Sequence, residues 1–395
     1  MAESPLHTVL RWARCEPFSP LSNQQVMEYL AYKKYPIPKH RTTKQPTTNM
    51  ESLQKMLLKV EDPVLEGVLE ARHLKKAEAY LTDKYVGRDG RIHPLYTTLP
   101  QTGRLSSRRP NLQNLPQGRG SEVMKQAVDY IRGSFVADDG YLLAEMDWKA
   151  IEALLVGWFA GDESYMEASK KGVHDIFGSH LLFMDGVIPA PKTPWDADLP
   201  EWIEWFKEAH KPVRDRAKKR IHAGAYGQGP YNMARDLGIP VAEVKKLDKV
   251  FASMAPKVIA WQEGTRRRAH AEGRLTNPFG FTLPFFHVME KRDGEWVLGR
   301  EASECLAFLP QSTGAAMLRE VLVDLGDHEE EGDTFQLLIP THDSITFQVK
   351  EAEVGRVIKL VQASMERAWP ELNGLSVSTE TKVGKRMNEM KVWHG

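Results

Sequence analysis

The 395-residue sequence contains only two cysteines, Cys15 and Cys305, too few for a disulfide framework or a zinc site. It also lacks an apolar stretch of about 18 residues, so no membrane span is predicted. The first residues, MAESPLHTVLRW, do not contain the apolar core of a secretory signal peptide. These absences argue against a membrane protein or a disulfide-rich secreted protein, and we expect a cytoplasmic location.

The formal net charge is zero, because 53 lysines and arginines balance 53 aspartates and glutamates. The basic residues are nevertheless clustered. Residues 104–119 carry four arginines and no acid, and residues 211–220 carry six basic residues against Asp215 alone. Basic clusters on a neutral chain indicate a protein that binds phosphates and also keeps acids for metal binding.

The segment at residues 102–116, TGRLSSRRPNLQNLP, is rich in arginine, serine and side-chain amides and has no acid. Such a segment offers many donors to phosphate oxygens and to the acceptors of a DNA minor groove. A basic surface loop is the alternative. The motif resembles the segment that opens the palm of family A (polymerase I-like) DNA polymerases. This resemblance implies that Arg104, Asn111, Gln113 and Asn114 hold the primer–template duplex.

Two acids are predicted to meet in one sheet. The apolar run YLLAEMD predicts a buried strand that ends at Asp147, with a helix from Ile151. The run QLLIPTHDSITFQV at 336–349 predicts two strands with His342 and Asp343 at the turn, the second of them half-buried because its apolar residues alternate with polar ones. Two carboxylates at one point are what two-metal nucleotidyl transfer requires.

The runs DWKAIEALL and THDS resemble the first and second palm motifs of family A. The resemblance implies that Asp147 and Asp343 are catalytic and hold two Mg²⁺ ions, for which Mn²⁺ can substitute. It also implies that Glu152 excludes a ribose 2′-hydroxyl and that His342 touches the primer end. Family members usually carry a glutamate at the position of Ser344, so one palm carboxylate is absent here.

A cationic helix face is predicted between these motifs. Arg214, Lys218, His222 and Tyr226 recur at every fourth residue and share one face of a helix. A solvated basic face is the alternative. The pattern R-x3-K-x7-Y-G matches the fingers helix of family A, which implies that Arg214 and Lys218 bind the triphosphate and that Lys218 also acts in catalysis. His222 would lie beside the incoming sugar and phosphates, and Tyr226 would position the template.

Two shorter motifs add binding residues. GVHDIF resembles a family segment that points to His174 as another phosphate donor, although a structural histidine fits the same sequence. QSTGAAML resembles a segment whose glutamine, here Gln311, contacts template or primer.

The resemblance implies an α/β right-hand polymerase fold with an antiparallel palm sheet and helical thumb and fingers. We expect an amino-terminal segment and thumb at 1–100, a first part of the palm at 101–160, fingers at 161–260 and a second part of the palm at 261–395. Leucines at helical spacing predict two or three helices within 50–83. Few residues precede the thumb-like segment, so no exonuclease domain is expected in this chain.

The predicted function is DNA-templated addition of dNTPs to a primer 3′-hydroxyl. The predicted partners are primer–template DNA and dNTPs; a monomer is expected, no accessory replication protein is indicated, and the source is bacterial or phage. A single-subunit RNA polymerase, a reverse-transcribing relative and an inactive nucleic-acid-binding relative are the alternatives. Glu152 and the 102–116 segment argue against an RNA polymerase. The two aspartates, Asp147 and Asp343, argue against an inactive relative.

Overall fold

A computed structural model of the chain describes residues 17–40, 43–57, 59–78, 80, 82–98, 100–116, 122–184, 186–187, 206, 208–237, 239–330 and 334–395. Its contacts divide the chain into two compact units. One unit comprises residues 1–93 and 115–132, and the other comprises 94–114 and 133–395. Every residue that the sequence analysis assigns to the active site belongs to the second unit.

The helices within the described residues are α1 (Asn23–Tyr32), α2 (Met50–Leu57), α3 (Pro63–Glu78), α4 (Glu122–Gly133), α5 (Ile151–Ala160), α6 (Glu163–Lys171), α7 (Val173–Met184), α8 (Lys211–Ala225), α9 (Pro230–Leu237), α10 (Val241–Met254), α11 (Pro256–Glu272), α12 (Glu304–Glu330) and α13 (Val354–Met365). The helices predicted within 50–83 are confirmed as α2 and α3. None of the described helices is both long and apolar enough to cross a membrane.

The strands are β1 (Leu95–Thr97), β2 (Ser106–Arg108), β3 (Tyr141–Trp148), β4 (Arg274–Thr276), β5 (Thr282–Pro284), β6 (Met289–Arg292), β7 (Glu295–Leu298), β8 (Phe335–Pro340), β9 (Ser344–Lys350), β10 (Thr379–Gly384) and β11 (Lys391–Val392). Five of them form one antiparallel sheet in the order β11-β10-β3-β9-β8. The pairs β1-β2, β4-β5 and β6-β7 form separate two-stranded sheets.

The first unit has its own apolar core. It is built from one face each of α1, α2 and α3, with Val26, Leu30, Leu53 and Leu65 at 0–1% exposure. The polar residue Asp62 precedes α3 and accepts hydrogen bonds from the backbone N–H groups of Val64 and Leu65, as N-terminal capping residues do.

In the second unit, one face of the five-stranded sheet packs against α5, α12 and α13. Ala144 and Met146 of β3 and Phe347 of β9 are fully buried there beside Met317 and Val321 of α12. A second core lies among α6, α7, α8 and α10. The sheet and these four helices therefore each have a buried apolar core of their own.

The junction between α5 and α6 shows how local sequence ends one element and begins the next. Gly161 has a positive φ of 61°, the left-handed conformation that glycine adopts without strain, and it terminates α5. Asp162 then caps α6 by accepting a hydrogen bond from the Tyr165 N–H at 3.0 Å. The turn packs α6 directly against α5, the helix that follows Asp147.

The prediction of a half-buried strand is wrong for β9. Its polar residues Ser344, Thr346 and Gln348 are buried as fully as its apolar ones, at 8%, 2% and 1% exposure. The strand lies between β3 and β8, and Gln348 uses its side-chain amide inside the fold, because it accepts from the Asp138 N–H and donates to the Asp138 carboxylate. Internal hydrogen bonds make this polar face compatible with burial.

Candidate active site

The sheet brings Asp147 and Asp343 together, although they lie 196 positions apart in the sequence. Asp147 is the penultimate residue of β3 and pairs in register with Ser344, the first residue of β9. Asp343 lies in the β8–β9 turn, and its carbonyl accepts a hydrogen bond from the Trp148 N–H at 3.1 Å. Adjacent antiparallel strands therefore place the two carboxylates at one end of the sheet, as the sequence predicts.

The pKa values of both carboxyl groups are raised, so each favours its protonated form more than an ordinary aspartate does. The surrounding protein desolvates Asp147, and the charges of Asp343 and Glu145 add to this effect, so its pKa rises from 3.8 to about 7. Desolvation and the Glu152 charge raise the pKa of Asp343, and Arg104 opposes the rise. A cation bound between the two carboxylates would relieve this electrostatic strain.

Among the described residues, no three acidic, histidine or cysteine side chains are grouped closely enough to form a metal site. The protein therefore offers two aspartates at this point, with carboxylate oxygens of the kind that Mg²⁺ prefers. Glu145 and Glu380 flank them: Glu380 of β10 pairs in register with Asp147, and Glu145 lies two residues before it on β3.

Glu152 connects the sheet region to the cationic helix. It lies in the first turn of α5, where its carboxylate pairs with Arg104 and accepts a hydrogen bond from the Tyr226 hydroxyl. Gln311 of α12 also hydrogen-bonds Tyr226. Desolvation and the Glu152 charge hold the pKa of Tyr226 well above its usual value, so this hydroxyl stays a donor.

The face predicted on the cationic helix lies on α8, where Tyr226 forms the C-cap. Arg214 is partly exposed and donates from Nε to the Asp175 carboxylate at 2.6 Å. Lys218 is half-buried one turn later. His222 belongs to α8, but its side chain lies outside the described part of the structure, and the contact predicted for it stays a prediction. His174 is half-buried in the first turn of α7, next to Asp175.

The side-chain amide of Gln113 holds the 102–116 segment in place. The Gln113 carbonyl oxygen accepts from the Ser107 N–H at 2.8 Å, and its amide donates to the Pro340 carbonyl at 2.9 Å. Gln113 is 9% exposed and both ends of its side chain are engaged within the protein; the DNA contact predicted for it stays a prediction. Asn114 is exposed, and Asn111 accepts a hydrogen bond from the Ser107 hydroxyl.

His342 is exposed in the turn beside Asp343. Desolvation and the nearby Arg104 charge lower its pKa, so the neutral imidazole is favoured. The same arginine therefore influences the charge of His342, Asp343 and Tyr226.

Two residues at the site were missed by sequence reasoning. Gln262 of α11 is buried and donates to the carbonyls of Gly224 and Ala225, at 2.6 and 3.1 Å, where α8 ends. A single glutamine on a helix has no sequence signal for this role. Asp175 is part of the GVHDIF motif, and its place beside His174 was the available signal.

Comparison with known proteins shows the family of this chain. The sequence model of DNA polymerase family A matches residues 6–189 and 199–389. The chain belongs to DNA polymerase family A. It is similar to the thermostable DNA polymerase I of Thermus aquaticus, with 30% identity over 330 residues, and to DNA polymerase I of Mycobacterium bovis, with 27% identity over 375 residues. These matches cover 82% and 92% of this chain but only 36% and 38% of the relatives.

The family A fold is also seen in a solved structure. The POL domain of Pol1 from M. smegmatis, in complex with DNA primer-template and dNTP, matches this chain with a TM-score of 0.76 at 24% sequence identity. The match covers 94% of this chain and 62% of that chain. The right-hand polymerase fold with an antiparallel palm sheet, predicted from the sequence, is thereby confirmed. The relatives named here are bacterial, and a phage source is not supported.

Proposed function

We propose that this family A chain is a template-directed DNA polymerase that adds dNTPs to a primer 3′-hydroxyl. One observation carries the proposal: Asp147 and Asp343 lie side by side at the end of the sheet, next to a helix whose Glu152 is hydrogen-bonded to Tyr226 of the cationic helix α8. Paired carboxylates beside clustered cations suit nucleotidyl transfer, in which a triphosphate and a hydroxyl must meet.

Asp147 and Asp343 would hold two Mg²⁺ ions, or Mn²⁺ in their place. Their hard oxygen donors support this assignment, as do the desolvation and the neighbouring carboxylate charges that raise their pKa values. When bound, the ions would supply activation of the primer hydroxyl and charge stabilisation at the leaving pyrophosphate.

The remaining roles fall to side chains of the second unit. Arg214, Lys218 and His174 would bind the triphosphate, with Lys218 neutralising charge that develops on the leaving group. Asn111, Asn114, Gln311 and His342 would contact the primer–template. Through its ion pair with Glu152, Arg104 would connect the residues that contact the primer–template to the nucleotide site.

Glu152 would exclude a ribose 2′-hydroxyl from the nucleotide site. Its half-buried carboxylate is held by two partners, Arg104 and Tyr226, which supports a fixed position for a steric filter. The four-part division into thumb, palm and fingers, the monomeric state and the cytoplasmic location stay predictions.

Primer extension tests the proposal. The purified chain is given a DNA primer on a DNA template with Mg²⁺, and then the same primer with rNTPs or with an RNA template. We expect templated extension with dNTPs and DNA, and little with rNTPs. A chain that binds the duplex but extends no primer would contradict the proposal, whereas efficient use of rNTPs would favour the RNA polymerase alternative.

A further inference from the structure

A buried ion pair connects the cationic helix to α7. The Asp175 carboxylate accepts a hydrogen bond from Nε of Arg214 at 2.6 Å. The Asp175 side chain is 2% exposed, whereas that of Arg214 is 27% exposed. The acid is thus enclosed by the protein, while part of the Arg214 side chain reaches the surface.

The Arg214 atom that contacts Asp175 determines which of its N–H groups remain available to a ligand. Because Asp175 engages Nε, the two terminal amino groups of Arg214 are left without a hydrogen bond to any side chain or carbonyl that the structure describes. Two parallel N–H groups on a planar guanidinium are the arrangement that binds phosphate oxygens bidentately. A guanidinium held at Nε loses less conformational freedom when it binds a ligand.

Asp175 also fixes where the arginine is held. It lies in the first turn of α7, and its N–H bonds the Gly172 carbonyl at 3.0 Å, so its position is set by the start of that helix. The neighbouring His174 shares this turn, and Lys218 follows Arg214 by one turn of α8. The ion pair therefore holds together the parts of two helices that carry the proposed phosphate ligands.

We propose that Asp175 is a positioning residue for triphosphate binding, which presents the terminal amino groups of Arg214 to the phosphates of the incoming nucleotide. The inference rests on the proposed function, since it assumes that α8 binds a dNTP. Asp175 touches no phosphate itself and acts through Arg214.

The chain provides a matched control on the same helix. Nε of Arg220 lies 2.8 Å from the Asp248 carboxylate of α10, so α8 carries a second arginine–aspartate pair, in which the arginine is the buried partner. Arg220 is 4% exposed and its guanidinium stacks on the Phe251 ring at 4.5 Å. This guanidinium is enclosed in the helical core and cannot reach a nucleotide, so Asp248→Asn reports the effect of loosening α8 alone.

The test measures nucleotide binding without chemistry. The chain is bound to a primer–template whose primer ends in a dideoxynucleotide, and the next complementary dNTP is titrated in the presence of Mg²⁺ to obtain its Kd. We expect Asp175→Asn to raise this Kd about tenfold, the loss typical of one charge-assisted hydrogen bond to phosphate, and to leave duplex affinity unchanged. Asp248→Asn should leave the nucleotide Kd unchanged.

A double-mutant cycle distinguishes positioning from general packing. Arg214→Ala should weaken dNTP binding at least as much as Asp175→Asn, and the double variant should be no weaker than Arg214→Ala, because Asp175 acts only through that arginine. In steady-state extension, Asp175→Asn should raise KM while kcat changes by less than about threefold. If Asp175→Asn does not fold, Asp175→Glu keeps the charge but displaces the guanidinium, and it should raise the dNTP Kd as well.

An unchanged or lowered dNTP Kd in the folded Asp175 variant would overturn the inference, as would an equal loss in Asp248→Asn. A wild-type chain that neither binds a dNTP nor extends a primer would instead refute the proposed function. The two failures are therefore distinguishable in one experiment.

Discussion

The Glu152 carboxylate accepts a hydrogen bond from the Tyr226 hydroxyl, across the junction between α5 and the end of α8. Arg104 pairs with the same carboxylate from the 102–116 segment. One side chain thus joins the 102–116 segment, the helix that follows Asp147 and the cationic helix. Changing Glu152 therefore affects both the space and the hydrogen bonds of the proposed nucleotide site.

We expect Glu152→Ala to admit ribonucleotides, because the shorter side chain leaves room for a 2′-hydroxyl. The ratio of dNTP to rNTP incorporation should fall by roughly tenfold or more. Glu152→Gln retains the size of the side chain and should keep most of the discrimination. Tyr226→Phe removes the hydrogen bond without changing Glu152, so a similar loss of selectivity in that variant would show that the bond, and not the steric bulk, is the filter.

Removing either of the proposed metal ligands should abolish chemistry and spare DNA binding. We expect Asp147→Asn and Asp343→Asn each to lower single-turnover extension by about a thousandfold or more, because each carboxylate offsets the charge of the metal ions. The duplex Kd should stay within about threefold of the wild type, because phosphate contacts come from the arginines. Asp139→Asn, an exposed change just before β3, is the control. Near-normal turnover in either site variant would remove these residues from the proposed site.

The raised pKa of Asp147 predicts a pH-dependent response to Mg²⁺. Its folded-state value of about 7 exceeds the ordinary 3.8, so the stability that its protonated form contributes is fully present below about pH 3.8 and is lost as the pH rises through 7. Mg²⁺ binds the ionised form and restores that loss. The Mg²⁺-induced rise in Tm should therefore be larger at pH 8 than at pH 6, and apparent Mg²⁺ affinity should fall by up to about tenfold per pH unit below 7.

Thermal unfolding with and without Mg²⁺ at the two pH values checks this prediction. Asp147→Asn should flatten the difference, because the amide does not titrate in this range. An equal Tm rise at pH 6 and pH 8 in the wild-type chain would show that Asp147 is already ionised at pH 6.

Gln113 should matter for stability more than for DNA contact. Replacing it by alanine leaves the Ser107 N–H and the Pro340 carbonyl without their partners, and we expect a loss of about 1–3 kcal/mol in the free energy of unfolding. Gln113→Glu keeps the acceptor for the Ser107 N–H but places a carboxylate oxygen against the Pro340 carbonyl, so it should lose at least as much. Urea unfolding measures the free energy of unfolding of both variants. A large fall in duplex affinity with unchanged stability would instead mean that Gln113 contacts DNA directly.

Much of the site follows from local sequence. The apolar run before Asp147 and the two strands around Asp343 form where the pattern predicts them, because side-chain alternation and turn residues act over a few neighbours. Helical spacing likewise predicts that Arg214, Lys218 and Tyr226 follow one another along α8. Their likeness to family motifs, rather than spacing alone, indicated the chemistry.

The sequence by itself determined the family, the main strands and helices, and the two aspartates of the candidate site. Only the tertiary structure decided which polar side chains face inward: Gln113 bonds a carbonyl 227 residues away, Gln348 is enclosed in a central strand, and Asp175 holds Arg214 across two helices. The physical reason is that a polar side chain finds its partner among whatever elements the fold brings beside it. Residue type and spacing within one segment do not reveal which distant residues those partners are.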